Sequence, residues 1–289
     1  MRIQKILLLY KRSAYRNYFL NPLSSLYDKQ KRFPARDMRG FRLLHEEHYL
    51  TLKRIEQCLA EEKVDYVKHY RGQDFRYSSF DLVITVGGDG TFLEAARNVK
   101  RQIILGVNSV PGTSIGRFCF ADRGNFPAML RKILANRFKA ARIKRLRLQI
   151  DGRQPAINIL NDALVCHKNP AAMSRYYLMI GRVKEEQRSS GVWIATAAGS
   201  SGAIHSSGGR ALPMTSARYQ YRPRELYDGG RLRYRLRGGV MLPSQKIRII
   251  SLMREGMVFV DGEHARFPLT YGSHLEISPS GEPLLMAIA

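Results

Sequence analysis

The tightest constraint on this chain is the run Leu82-Val83-Ile84-Thr85-Val86, followed directly by Gly87-Gly88-Asp89-Gly90-Thr91. A continuous apolar run closed by glycines reads as a buried strand. Phe92-Leu93-Glu94-Ala95-Ala96-Arg97 then reads as a helix, and Thr91 and Glu94 have the spacing of a capping box that would start it at Thr91. A strand that turns on glycine into a helix aims free backbone N–H groups at one spot, and phosphate binds there. A tight turn accounts for Gly87, Gly88 and Gly90 but leaves Asp89 unexplained. A carboxylate about 4 Å from a phosphate costs on the order of several kcal/mol at an intermediate dielectric, so Asp89 must hold a metal or take a proton. The string points to phosphoryl transfer.

Strands and helices alternate through the first half. Residues 3–9 form a strand, Leu52, Ile55 and Leu59 mark an amphipathic helix, and residues 65–69 form a short strand before the glycine turn. Ile103-Ile104-Leu105-Gly106-Val107 makes the next strand and residues 126–134 the next helix. Such alternation implies a doubly wound parallel sheet with helices packed on it. From about Arg142 the texture turns to β, with strands expected at 145–150, 156–165, 176–183, 192–196, 246–252 and 257–260. The expected organisation is therefore an α/β nucleotide-binding domain over residues 1–140 and a β-rich, sandwich-like domain over 141–269. Residues 270–289 would complete the first domain, their apolar end at 284–289 packing back on it.

Composition narrows the functional classes. Hydrophobic residues at 44% of 289 describe a folded protein long enough for two domains. No apolar stretch is long enough for a membrane span, and the N-terminal apolar segment is too short for a signal peptide. Three scattered cysteines (Cys58, Cys119, Cys166) lack metal-ligand spacing, the scattered histidines suggest no zinc site, and a reduced cytoplasmic protein fits best. The net charge of +24 suits a polyanionic ligand such as a nucleotide or polyphosphate, a nucleic acid, or simply a basic proteome. Residues 11–42 concentrate it in what reads as a long, mobile loop. Residues 231–237 alternate arginine with Leu232, Tyr234 and Leu236, as a strand with one wet basic face would. No nucleic-acid-binding motif accompanies this charge, which argues against such a partner.

Three later segments bear on the turn. Asn161-Asp162 interrupts an apolar run, so at least one of the two enters a buried side and needs partners. The pair can accept a ribose diol or read an adenine edge, or it is an ordinary strand-end polar pair. The small and hydroxyl residues from Thr196 through Gly199, Ser200, Ser201 and Gly202 let a ligand approach the backbone closely. Gly106-Val107-Asn108 ends the strand after the phosphate-turn helix, and carboxyl ends of strands line the ligand crevice of an open parallel sheet.

Taken in order, glycine turn, Asn-acid pair and Thr-x-x-Gly-Ser loop resemble the NAD kinase family, over most of the chain from the first strand to Asp261-Gly262. The resemblance implies phosphorylation of the adenosine ribose of NAD or NADH, with ATP or polyphosphate as donor and a divalent metal, magnesium, on the phosphates. It implies an active site between the two domains and a homodimer or homotetramer. Asp89 would be the general base. Asn161 and Asp162 would hold the adenosine, and the loop at 196–206 would wall the adenine. Gly87, Gly88, Gly90, Thr91, Asn108, Thr196, Ser200 and Ser201 would line the nucleotide sites, with Arg188 as a basic contact; none of these residues is assigned as a metal ligand. The chain departs from the family pattern at Asp162 (commonly Glu), Ala197 (Pro), Ala198 (a hydroxyl residue), Ala203 (Tyr) and Ser190 (Asp). The Ala-Ala-Gly-Ser form is similar to the NADH-preferring kinases of plants. A lipid or sphingoid-base kinase shares the glycine turn, but would want an apolar substrate entry and would not need the Asn161-Asp162 pair.

Overall fold

Strands that bury both faces cannot alternate polar and apolar residues, and the centre of the first unit is built of such strands. The computed structural model describes residues 3–29, 32–73, 75–229 and 233–288. The chain divides into two compact units, one comprising residues up to Ala95, Val99–Ala141 and Leu285 onward, the other Ala96–Asn98 with Arg142–Leu284.

In the first unit β1 (Ile6–Tyr10), β2 (Tyr66–Tyr70), β3 (Leu82–Gly87) and β4 (Ile103–Asn108) pair in parallel, and every residue of β3 and β4 is buried. Helices α1 (Ala14–Tyr18), α2 (Ala35–Glu61), α3 (Asp89–Asn98) and α4 (Phe126–Leu134) accompany them. Leu52, Ile55 and Leu59 of α2 and Phe126, Leu130 and Ile133 of α4 share one core with Ile6, Leu8, Ile84 and Leu105. The strand order is β2-β1-β3-β4, continued by the C-terminal strand Leu284–Ile288 and then β5 (Lys139–Ile143). From β1 the chain winds outward to β2, while from β3 it winds the other way to β4. The sheet therefore has its switch point between the carboxyl ends of β1 and β3, where ligands of open α/β sheets bind. Lys11 and Gly87-Gly88 sit there.

In the second unit β6 (Leu146–Ile150), β7 (Asp162–His167), β8 (Ser174–Ile180), β9 (Val183–Ser189) and β10 (Val192–Thr196) are followed by the single turn α5 (Ala203–Ser206). Then come β11 (Tyr219–Pro223), β12 (Gly239–Met241), β13 (Ile247–Ser251), β14 (Gly256–Val260), β15 (Ala265–Pro268) and β16 (His274–Pro279). They form two antiparallel sheets, ordered β12-β11-β10-β7-β14-β15 and β6-β16-β13-β8-β9. Val165, Ile194 and Val258 from one sheet and Leu148, Leu178 and Ile249 from the other belong to a single core. The fold class is an α/β parallel-sheet unit followed by a β-sandwich of two antiparallel sheets.

Several local expectations need correction. Residues 11–42 are not a long loop. Ser13 accepts the N–H of Arg16 and caps α1, and α2 has already begun at Ala35. Phe19 lies 5.3 Å, centroid to centroid, from both Phe33 and Phe41, which ties the segment between the helices to them. Of the expected strand at 231–237, Arg231 and Leu232 lie outside the described residues, and 233–237 form no strand. Their alternation is real, with Tyr234 and Leu236 buried between exposed arginines. The Arg235 and Leu236 N–H groups, however, donate to the Glu185 carboxylate and not to a neighbouring strand. Helix α3 starts at Asp89, not Thr91, with Gly88 as its N-cap.

Candidate active site

The phosphate turn has no room for side chains. A Cβ on Gly87 would stand 2.5 Å from Thr91 Oγ1, and one on Gly88 would stand 2.8 Å from Ser114 Oγ. Glu94 forms no capping box; it accepts from Arg71 Nε at 2.9 Å and from the Gly72 N–H at 2.8 Å. The hydroxyls of Thr85, Thr91 and Ser109, which lie on β3, in the first turn of α3 and just after β4, are buried and have no hydrogen-bond partner among the described residues.

Asp89 opens α3 half-buried. One of its oxygens accepts the Arg117 N–H at 3.0 Å and the other the Phe118 N–H at 2.9 Å. Among the described residues it has no salt bridge, so each oxygen keeps a free lone pair. Asn108 secures the loop that supplies those N–H groups. Its Nδ2 donates to the Ser114 carbonyl at 2.9 Å and its Oδ1 accepts the Val110 N–H at 3.1 Å. Asn108 thus spends its side chain on the loop that orients Asp89.

Two cations that sequence reasoning did not single out flank the turn. Lys11 Cδ lies 3.4 Å from where a Gly87 Cβ would be, and Arg71 Nη1 lies 3.1 Å from the same point on Gly90. Burial first, and then the nearby Arg71 charge, lower the Lys11 pKa. The only signal in the sequence was position, since each follows directly on a sheet strand. Burial and the nearby Asp89 push the Cys119 thiol up to about 12, which disfavours its thiolate.

In the second unit the organiser is Asp261, which sequence reasoning noted only as the end of the resemblance. Its φ of 49° turns the chain after β14, and its buried carboxylate accepts the N–H groups of Leu160, Asn161 and Asp162 at 3.0, 2.7 and 3.1 Å. Burial lifts its pKa to about 6 against those three donors. Asp162, first in β7, is 6% exposed. Burial and then the Asp261 charge push its carboxyl up to about 7, and Asn161 Nδ2 donates to it at 3.0 Å. Thr196 ties the hydroxyl loop to this pair, since its Oγ1 donates to the Leu160 carbonyl at 2.5 Å and accepts the Gly199 N–H at 3.0 Å. Gly199 lies so close to the Asn161 backbone that a Cβ would overlap the Asn161 carbonyl oxygen. Ser200 is internal, its Oγ donating to the Ala197 carbonyl and accepting the Leu212 N–H, each at 2.7 Å, while Ser201 is exposed beside it.

The first unit therefore gathers Gly87, Gly88, Asp89, Gly90 and Thr91 beside the Asn108 loop. The second gathers Asn161, Asp162, Thr196, Ser200 and Ser201. Arg188 stands apart on β9, the edge strand of the other sheet, with Glu186 at 3.4 Å.

A family model for the N-terminal domain of ATP-NAD kinases matches residues 41–138. A probable NADH kinase of Oryza sativa subsp. japonica is 32% identical over 264 residues, spanning 83% of this chain and 81% of its own. The chain belongs to the NAD kinase family. An NADH kinase of Arabidopsis thaliana is 31% identical over 82% of each chain. The fold matches an NAD kinase from Archaeoglobus fulgidus in complex with ATP (TM-score 0.70, 22% identity, 98% of this chain and 93% of that one). It also matches yeast NADH kinase complexed with NADH (TM-score 0.73, 16% identity, 100% of this chain and 84% of that one).

Proposed function

We propose that this NAD kinase family member phosphorylates the 2′-hydroxyl of the adenosine ribose of NAD or NADH, giving NADP or NADPH, with Asp89 as general base. The observation behind the assignment is the Asp89 carboxylate itself, which two backbone N–H groups hold at a phosphate turn and which has no salt bridge among the described residues. A carboxylate so held can accept the hydroxyl proton as the ribose oxygen attacks the terminal phosphate. The N–H groups of the turn, the Thr91 hydroxyl and the Lys11 ammonium would hold the donor phosphates, from ATP or polyphosphate. In the second unit Asn161 and Asp162 would bind the adenosine, with Thr196, Ser200 and Ser201 shaping the loop beside it. A residual role for Arg188 as a basic contact follows from the family pattern alone.

Among the described residues no group of three or more His, Cys, Asp or Glu side chains could cage a metal. Such an ion, magnesium, would be held by the donor phosphates, as it commonly is, which leaves Asp89 to act as the base. When bound, it would neutralise phosphate charge. We assign the protein to the cytoplasm, on its three free cysteines, and to a homodimer or homotetramer, on the family pattern. Among the described residues no helix is long and apolar enough to cross a membrane. Incubating the purified chain with ATP, magnesium and each dinucleotide tests the reading. Conversion of NAD or NADH is expected; phosphorylation of a diacylglycerol or sphingosine instead would replace it with the lipid-kinase alternative.

Two further results are expected. Ser190 lines a cavity of about 540 Å³ together with Asp162, Trp193 and Arg224. An acid there would favour the cationic nicotinamide of NAD over neutral NADH by about 1 kcal/mol or less. Ser190→Asp should thus move the kcat/KM ratio toward NAD, and an unmoved ratio would remove Ser190 from the selectivity argument. The second concerns Asp162. A carboxyl pKa raised on folding means that the native chain keeps a proton the unfolded chain releases, so stability falls as pH rises from about 4 to about 7. Asp162→Asn should then raise stability at pH 8 by on the order of 3 kcal/mol. It should also flatten any rise in dinucleotide affinity between pH 6 and pH 8, and thermal melts with binding titrations at the two pH values would check both.

A further inference from the structure

We propose that the cavity beside α1 seats the nucleoside end of a nucleoside triphosphate donor, with Arg12 and Arg16 leading its phosphates toward the glycine turn. The proposal rests on the kinase reading above and selects the donor class. The cavity, of about 780 Å³, is within the size range of small-molecule sites, and among its lining residues are Arg12, Arg16, Asn17, Leu20, Leu23 and Tyr49. No acid lines it, and among the described residues neither arginine has an ion-pair partner. Each is held instead by an aromatic ring. Arg12 Cζ lies 3.6 Å from the Tyr70 ring centroid and Arg16 Cζ 5.7 Å from that of Tyr49, whose hydroxyl accepts from Arg16 Nη1 at 2.8 Å. Stacking on a ring fixes a guanidinium but leaves most of its charge uncompensated. Arg71 differs, since Glu94 neutralises it.

Position gives these charges a direction. Lys11 lies beside Gly87, Arg12 follows it, and Arg16 is set by the Ser13 cap of α1. His45 Nδ1 pairs with the same Ser13 hydroxyl at 2.7 Å, and its ring lies 4.5 Å from that of Tyr49, which ties the cavity wall to α2. The far wall is apolar and wet, with Leu20 52% and Leu23 94% exposed. Inorganic polyphosphate gains nothing from such a wall, whereas a purine covers it and has polar edges for Asn17 and for the amide N–H groups of Asn21, whose Oδ1 already accepts the Leu23 N–H at 3.2 Å.

Calorimetry on the full chain, with a non-hydrolysable ATP analogue and with tripolyphosphate as probes, separates the possibilities. The analogue is expected to bind about tenfold tighter than tripolyphosphate, and Arg16→Ala to weaken both by about tenfold, with partial recovery in Arg16→Lys. Leu23→Ser, at a surface position that folding does not need, removes apolar surface without adding charge and should weaken the analogue while sparing tripolyphosphate. Equal binding of the two probes, or an analogue affinity indifferent to Leu23→Ser, would overturn the nucleoside seat. Because binding is read without turnover, the two readings fail separately. A chain that binds the analogue through these residues but phosphorylates neither dinucleotide keeps the seat and loses the kinase. Turnover with an ATP KM unmoved by Arg16→Ala and Leu23→Ser keeps the kinase and loses the seat.

Discussion

Asp89→Asn is expected to lower kcat by about 10²–10⁴-fold while leaving dinucleotide binding largely intact. Asparagine keeps the shape of the side chain but cannot take up the ribose proton. One of the two backbone donors, Arg117 N–H or Phe118 N–H, would also face an amide NH₂ in place of an oxygen. That mismatch is local to the loop braced by Asn108, so the melting temperature should shift little beside the change in rate. Asn108→Ala makes a useful companion. It leaves the base in place but loosens the loop that aims it, so an intermediate fall in kcat is expected, without the complete loss of a proton acceptor. A near-wild-type rate in Asp89→Asn would show that Asp89 is not the base.

Asp261→Ala is expected to destabilise the second unit by roughly 3–5 kcal/mol and to abolish dinucleotide binding. Three backbone N–H groups, those of Leu160 and Asp162 in buried bonds and that of Asn161 in a partly buried one, would lose their acceptor at once. The segment they fix is the one against which Thr196 and Gly199 pack, so the hydroxyl loop would loosen with it. Asp261→Asn should do less, because its remaining oxygen can still serve Asn161 and Asp162. It also removes the charge that helps raise the Asp162 pKa, and the Asp162 midpoint should move down from about 7. Denaturant unfolding of both variants, with a pH titration of the second, checks these expectations. If Asp261→Ala melted like wild type, Asp261 would not organise this segment.

The parts of the molecule that were legible in the sequence are those where one residue pattern permits one backbone. The apolar run into Gly87-Gly88 allowed only a buried strand turning into a helix, and α4 and β10 followed from periodicity and length. The boundaries that failed did so where side chains took over backbone hydrogen bonds. Glu94 reads as half of a capping box, but Arg71 and the Gly72 N–H claim its carboxylate. The segment around Arg235 alternates like a strand, but Glu185 takes its N–H groups. Asp261 could be recognised only through Leu160, Asn161 and Asp162, about 100 residues away, and Lys11, beyond its place after β1, only through Gly87, 76 residues away, distances no local pattern encodes. The basic segment after β1 was misread for the same reason, since Phe19, Phe33 and Phe41 become a cluster only once α2 begins at Ala35.

The most direct measurement is phosphorus NMR of the product formed from NAD or NADH and ATP by the purified chain with magnesium, run beside the Asp89→Asn variant. The expected result is a single phosphomonoester on the 2′-oxygen of the adenosine ribose, its formation lost in the variant. A phosphate on any other oxygen of the dinucleotide, an unmodified dinucleotide, or the same product at the same rate from Asp89→Asn would contradict the assignment of a 2′-kinase whose base is Asp89.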